Sequence, residues 1–353
     1  MTPLIFSVIK ILGTSAVATM IAIAWSPLLI NFLYKHQLWK KTARVKAMTG
    51  EDAVVFHSLH KERETKVPRM GGLLIFITTA GLAFFLYFLS LLFPNSFFAQ
   101  FNFLTRSQTW LPFFTFVVAS LFGLLDDILT VSGLGKYIGG GIAFTKRLAI
   151  VLLIGLTGAL WFYYKLQWDV ISVPLLGHFS IGIWYIPLFI IVVVACWSGG
   201  IIDGLDGLSG GTFASIFGAF TIIAFSQGKV ELATFCAVIT GTLFAFLWFN
   251  IPPARFYMTE VGIMGLTTTM AVVAFLTDSV VVLPIIAGLL VLEVVSVIVQ
   301  LLSKKFRKKK VFLSTPIHHH FEAIGWPAYK VVMRAWIIGI VLAIIGVVIK
   351  LLG

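Results

Sequence analysis

The sequence predicts an all-α protein that crosses a membrane many times. Of its 353 residues, 59% are hydrophobic and 11% are charged, and the mean hydropathy is +1.02. This composition lies far outside that of soluble globular domains. The apolar runs are long enough for helices that cross a hydrocarbon core of roughly 30 Å, and they lack the alternating polarity of barrel strands. We expect a single integral-membrane helical domain over residues 1–353.

Ten apolar runs follow one another along the chain, each bounded by charged, glycine-rich or proline-containing segments. The predicted spans are residues 5–33, 70–93, 110–125, 147–165, 183–199, 208–226, 232–250, 263–277, 280–302 and 332–352. The first run continues for nearly thirty residues, without the short apolar core of a cleaved signal peptide, so we expect it to be retained. Glu293 lies inside the ninth run, where a carboxyl group is costly and is usually paired or faces the bundle interior.

Basic residues are concentrated in alternate loops. Residues 35–69, 126–147, 250–262 and 304–334 contain 21 of the 26 Lys and Arg residues. The positive-inside rule places these loops in the cytoplasm and both termini outside. The net charge of +12 then predicts attraction to anionic membrane lipids and anionic substrates at the inner surface. We expect no nucleic-acid partner, because no solvated domain combines basic residues with stacking aromatics.

Acidic residues cluster on the same predicted face. Asp126 and Asp127 are adjacent at the end of the third run, where mutual repulsion and the helix dipole disfavour a negative pair. A divalent cation such as Mg²⁺, which prefers one or two carboxylates plus substrate phosphates, would offset them. Asp203 and Asp206 are three residues apart in a glycine-rich string, so on a helical turn they share a face. The alternatives are solvated interfacial acids and ordinary helix caps.

Other polar residues on this face have ligand-binding chemistry. Three adjacent histidines, His318, His319 and His320, can bind phosphate oxygens, carry a proton or ligate a metal. Lys66 and Arg69 precede the second span and could bind phosphate, although interfacial lysines and arginines also snorkel to the membrane surface. Tyr257, after the proline-containing loop, could stack on a base. A His-rich solvated loop is the alternative for the histidines.

With these residues identified, the chain resembles the phospho-N-acetylmuramoyl-pentapeptide transferases, a family within the polyprenyl-phosphate N-acetylhexosamine-1-phosphate transferases. The similarity runs essentially end to end and depends on residues 66–72 (KVPRMGG), 124–127 (LLDD), 203–208 (DGLDGL), 249–254 (FNIPPA) and 316–322 (PIHHHFE). The histidine string distinguishes this family from relatives that use an N-acetylglucosamine donor.

The resemblance implies ten spans, a cytoplasmic active site in the bacterial inner membrane, Mg²⁺ dependence and a homodimer. It implies transfer of phospho-MurNAc-pentapeptide from UDP to undecaprenyl phosphate, giving lipid I and UMP in peptidoglycan synthesis. Positions matching catalytic or substrate-contacting residues are Lys66, Asp126, Asp127, Asp203, Asp206 and His319, with Asn250 at a uridine-site position.

The chain departs from the family pattern at several positions. Glu260 stands where the family has its metal-binding Asp, and the other departures are Arg69 for Thr, Gly200 for Asn, Tyr257 for Phe, Thr259 for Gly and Ile263 for Ser. A longer carboxylate can misplace a metal. The alternatives are therefore a transferase that uses UDP-N-acetylglucosamine or a divergent homologue of low activity. We expect Glu260 and Asp127 to hold the metal, His318, His320 and Lys66 to contact phosphate, and Asp126 to receive the acceptor's proton.

Overall fold

The computed structural model describes residues 2–41, 65–135 and 140–353. The helices, in chain order, are α1 (Pro3–Lys35), α2 (Gly72–Leu92), α3 (Trp110–Ser132), α4 (Phe144–Leu160), α5 (Tyr185–Ser198), α6 (Leu208–Ser226), α7 (Val230–Asn250), α8 (Thr259–Leu276), α9 (Leu283–Ile286), α10 (Gly288–Arg307), α11 (Ile317–Ala323) and α12 (Ala328–Leu351). Short 3₁₀ segments span Phe97–Phe101, Gly182–Trp184 and Gly199–Ile202, and a π turn spans Trp161–Lys165.

Within these ranges, nine helical segments are long and apolar enough to cross a membrane. They correspond to nine of the ten predicted runs. The remaining run, residues 280–302, is divided between the single-turn helix α9 and helix α10. Pro284 starts α9, and α10 carries Glu293 and ends in Lys304, Lys305 and Arg307. These features make the region less uniformly apolar than its neighbours.

Two helix boundaries differ from the prediction in ways that matter for the site. Helix α3 continues to Ser132, so Asp126 and Asp127 lie inside it and not at its end. Helix α8 begins at Thr259, which places Glu260 in its first turn and not before it. Arginine partners balance these carboxylates, and a neutralised acid need not end a helix.

The chain is mostly helical, as the predicted all-α class requires, and it also contains a short β-hairpin. Strand β1 (Val170–Val173) pairs antiparallel with β2 (Gly177–Ser180). The β-branched residues of β1 favour an extended backbone. Asp278 stabilises the hairpin by accepting a hydrogen bond from the Ser172 N–H at 3.0 Å.

Helix α8 lies at the centre of the bundle and is almost entirely buried. Glycines allow its neighbours to approach its backbone closely. A Cβ atom at Gly123 of α3 would overlap the Glu260 carbonyl, and a Cβ at Gly72 would lie 2.6 Å from the Gly262 Cα. Close contacts between small residues are a common way to pack membrane helices. Helices α2 and α3 therefore meet at the N-terminal end of α8, where the polar residues collect.

Candidate active site

The predicted site residues come from five separate parts of the chain and converge at the N-terminal end of α8. Asp127 is fully buried on α3, and both of its carboxylate oxygens accept hydrogen bonds. Its Oδ1 accepts a hydrogen bond from Arg69 Nη2 at 3.1 Å, and its Oδ2 accepts from Thr259 Oγ1 at 2.6 Å and the Val261 N–H at 3.0 Å. Burial lowers the pKa of Arg69, but the charges of Asp127, Glu260 and Asp203 outweigh this effect and raise it above its ordinary value. The guanidinium is therefore a permanent cation.

Asp126 and Glu260 share a second arginine. Arg147 Nη1 lies 2.7 Å from Glu260 Oε1 and 3.7 Å from Asp126 Oδ2. The other oxygen of Asp126 accepts a hydrogen bond from the Ile142 N–H. Gly141 makes this bond possible, because its φ of +73° suits glycine and a Cβ there would lie 2.5 Å from Asp126 Oδ1.

Asp203 is joined to the same network through Thr259. Its Oδ2 accepts from the Thr259 N–H at 2.9 Å, and its Oδ1 accepts from Ser209 Oγ at 2.7 Å. Burial raises the pKa of Asp203, and these two hydrogen bonds, with the charge of Arg69, reduce the effect. Thr259 thus links two carboxylates that the sequence predicted as catalytic.

Asp206 and Asn250 hold the glycine-rich loop, residues 203–207, against the α7–α8 connection. Asp206 Oδ2 accepts from the Ala254 N–H at 3.2 Å. The Asn250 amide accepts from the Gly207 N–H at 2.9 Å and donates to the Phe256 carbonyl at 2.8 Å. Asn250, the predicted uridine-site residue, is therefore buried and engaged in internal hydrogen bonds.

The histidines lie next to Gly204 of the glycine-rich loop. His318 Nε2 and His319 Nε2 face Gly204, where a Cβ atom would overlap the first and lie 3.1 Å from the second. His319 Nδ1 lies 2.8 Å from Glu322 Oε2. His318 Nδ1 lies 2.9 Å from Glu293 Oε2, within ion-pair distance but without hydrogen-bond geometry. His320 is only half-buried and its Nδ1 accepts from the Leu313 N–H at 3.3 Å.

Two further predicted residues lie on a pair of extended segments beside the cluster. The Tyr257 N–H donates to the Pro68 carbonyl at 2.9 Å, and the Gly71 N–H donates to the Tyr257 carbonyl at 2.7 Å. This pairing holds Arg69 next to Asp127. Lys66 is exposed at the start of the first segment.

Three residues of the site were not predicted as functional: Arg147, Thr259 and Glu293. Asp127 is in contact with Arg69, which the sequence suggests for phosphate, and with Thr259, which the sequence shows only as a departure from the family pattern. Gly200 and Ile263, two more departures, also contact each other, because a Cβ atom at Gly200 would overlap Ile263 Cγ2. The contacts join distant parts of the chain. The sequence could therefore have suggested these pairs only because each position departs from the family pattern.

The site is suited to a hard divalent cation through Asp126 and Glu260. Among the described residues, Asp126 Oδ2 has only Arg147, at 3.7 Å, as a partner, and Glu260 Oε2 accepts no hydrogen bond. Two carboxylate oxygens plus substrate phosphates and water are a typical Mg²⁺ ligand set. In the described part of the chain, no group of three or more His, Cys, Asp or Glu side chains is arranged to hold a metal.

Comparisons with known proteins identify the family of this chain. Residues 109–278 match the family described as Glycosyl transferase family 4. The chain is similar to the phospho-N-acetylmuramoyl-pentapeptide-transferase of Anoxybacillus flavithermus, with 31% identity over 96% of this chain and 98% of the relative. Equally named proteins are 30% identical in Geobacillus sp. (94% and 95% covered) and 32% identical in Bacillus anthracis (96% and 97% covered). The chain belongs to the phospho-N-acetylmuramoyl-pentapeptide-transferase family.

Proposed function

We propose that this protein transfers phospho-MurNAc-pentapeptide from UDP-MurNAc-pentapeptide to undecaprenyl phosphate, forming lipid I and UMP in peptidoglycan synthesis. The observation that carries the proposal is the convergence of Asp126, Asp203 and Glu260 with His318 and His319 around one glycine-rich loop. Family membership and this convergence point to the same reaction.

The reaction exchanges one phosphate linkage for another. An oxygen of the lipid phosphate attacks the sugar-bearing phosphorus of the donor, a new P–O bond forms, and the bond to the UMP oxygen breaks. Such transfers depend on positioning and on stabilisation of negative charge. Arg69, Arg147 and Lys66 supply positive charge on one side of the loop, and His318, His319 and His320 supply N–H donors on the other.

We assign roles accordingly. Asp126 receives or perturbs the acceptor's proton, Asp203 organises the pyrophosphate, and Asp206 and Asn250 hold the loop that faces the nucleotide. Tyr257 stacks on the uracil. Mg²⁺, when bound to Glu260 and Asp126, would neutralise the phosphate oxygens. Asp126 is favoured over Asp127 as the second ligand because Asp127 already accepts three hydrogen bonds, one of them from a guanidinium.

The remaining assignments concern the setting of the enzyme. We propose one integral-membrane domain in the bacterial inner membrane, with ten spans, α9 and α10 together forming the ninth, and both termini outside. The polar site then faces the cytoplasm, as the basic loops favour. We also propose that the protein forms a homodimer, surrounded by membrane lipids.

The experiment that tests the function measures UMP release by the purified full-length protein. UDP-MurNAc-pentapeptide is the donor, with and without undecaprenyl phosphate and Mg²⁺. We expect release to require both additions. Release from UDP-N-acetylglucosamine at an equal or greater rate would assign the chain to the other donor class, and no release from either donor would contradict the transferase function.

A further inference from the structure

Arg69 forms an ion pair with Asp127, with 3.1 Å between Nη2 and Oδ1. Asp127 has no exposed surface, and its two oxygens accept three hydrogen bonds from Arg69, Thr259 and Val261. In the described structure Oδ1 accepts from Arg69 alone, so a metal ion at this oxygen would lie beside a guanidinium, and at Oδ2 it would have to displace Thr259 or Val261. The donors include a charged guanidinium and a backbone N–H, neither of which is released easily.

The backbone holds Arg69 in place. The Arg69 N–H donates to the Leu38 carbonyl at 2.7 Å, and its neighbours pair with the segment that contains Tyr257. Next to it, the Met70 N–H donates to Thr259 Oγ1 at 3.0 Å. Thr259 therefore connects the backbone beside Arg69 to the carboxylate that Arg69 neutralises. Asp127 is held from both sides.

Asp126 and Glu260 differ from Asp127 in this respect. They share one arginine, Arg147, which lies much closer to Glu260 than to Asp126. Each keeps a carboxylate oxygen that accepts no hydrogen bond in the described structure. Asp127 has an arginine to itself, whereas Asp126 and Glu260 share one, so a cation is attracted to these two residues more than to Asp127.

We infer that Arg69 is the permanent counter-ion of Asp127 and that this pair keeps Asp127 out of the ligand set of the divalent cation. Arg69 is thus a positioning residue: it fixes Asp127 as the link between residues 68–72 and the start of α8. The inference rests on the proposed function for the presence of a cation, but it concerns only which carboxylates hold it.

The test measures binding of Mn²⁺, as a paramagnetic substitute for Mg²⁺, to the full-length protein in nanodiscs without substrates. Free Mn²⁺ is quantified by electron paramagnetic resonance. We expect Asp127→Asn to change the dissociation constant less than about twofold and Glu260→Gln to raise it at least about tenfold, a range typical of lost metal contacts. Glu231→Gln, at the opposite end of the bundle, is the matched control and should have no effect.

The substitution Arg69→Thr provides an independent result. Once the guanidinium is removed, Asp127 can reach the cation, so Mn²⁺ should bind at least about threefold more tightly. This gain in affinity is much smaller than the change expected when a full ligand is lost. The double variant Arg69→Thr/Asp127→Asn should lose this gain. The double variant also has no buried carboxylate left without a counter-ion at position 127. It therefore tests the inference even if the single variant Arg69→Thr folds poorly.

Two results would overturn the inference. One is a loss of Mn²⁺ affinity in Asp127→Asn as large as in Glu260→Gln. The other is the absence of Mn²⁺ binding in the unsubstituted protein while it still releases UMP, which would leave the proposed function standing. Failure of UMP release with normal Mn²⁺ binding would contradict the function and not the ligand set.

Discussion

Two polar clusters contact the glycine-rich loop, residues 203–207, from opposite sides. They differ in how fully their carboxylate oxygens are hydrogen-bonded. In the carboxylate cluster, Asp127 and Asp203 have every oxygen engaged by an arginine, hydroxyl or backbone donor. In the histidine cluster, Glu293 Oε2 and both ring nitrogens of His318 are buried without a hydrogen bond to any described residue, and in the carboxylate cluster the same is true of Nε in Arg69 and Arg147. Such groups are costly unless satisfied, so these atoms, unlike the oxygens of Asp127 and Asp203, are available to an incoming hydrogen-bonding ligand.

This difference separates groups that hold the site together from groups that remain available to substrate. Asp127 is the clearest example of the first kind and His318 of the second. Asp126 and Glu260 lie between them, since each has one engaged and one available oxygen. The following substitutions test this ranking, from the largest expected effect to the smallest.

Asp126→Asn should reduce UMP release by about 10²–10⁴-fold, the range for loss of a general base or a comparable charged group. The amide keeps the size of the side chain and can still accept from the Ile142 N–H, so folding should be preserved. Initial rates at saturating substrates measure the effect. Asp169→Asn, near the hairpin, is the matched control, and full activity of Asp126→Asn would contradict its role.

Glu293→Gln should reduce kcat by about 10–100-fold, as expected for a residue that orients a functional histidine. The amide removes the negative charge that lies 2.9 Å from His318 Nδ1, so the ring loses the partner that orients it. A purely structural role would lower the yield of folded protein and leave kcat of the folded fraction unchanged. Ser296→Ala, which removes only the hydroxyl that bonds the Glu293 carbonyl, is the control.

Substitutions at Thr259 compare strain with hydrogen bonding. Its φ of +56° is rare for a β-branched residue and costs about 1–3 kcal/mol. Thr259→Ala keeps most of this strain and loses the hydroxyl bonds to Asp127 and Met70, whereas Thr259→Gly loses the bonds but relieves the strain. We expect the Ala variant to unfold at a lower temperature than the Gly variant. The opposite order in thermal unfolding would show that backbone strain at this position is unimportant.

Ser209→Ala should shift the acidic limb of the pH profile of kcat/KM to higher pH by about one unit or less, since one unit corresponds to about 1.4 kcal/mol. Burial already raises the pKa of Asp203, and the Ser209 hydroxyl stabilises its charged form. Without the hydroxyl, Asp203 takes up a proton at a higher pH on acidification and loses its charge earlier. An unchanged limb would mean that Asp203 does not control activity in acid.

The sequence predicted the helical membrane architecture and the family because both depend on local patterns: long apolar runs and short motifs. It placed Asp126 at a helix end and Glu260 before a helix, because a charged residue interrupts the apolar run from which a span is predicted. The interruption is the same even where an arginine from another helix neutralises the charge. Arg147, 113 residues from Glu260, could not be assigned as its partner from the chain alone. Local periodicity also gave no indication that Glu293 would face His318 or that Thr259 would adopt a positive φ.

The contact between Gly200 and Ile263 limits how this enzyme can be compared with its relatives by mutation. Restoring Asn at position 200 alone would drive its side chain into Ile263, and restoring Ser at 263 alone would leave a void beside Gly200. The two sites must therefore be exchanged together. Single-residue swaps here would report steric misfit and would misrepresent the catalytic importance of either position.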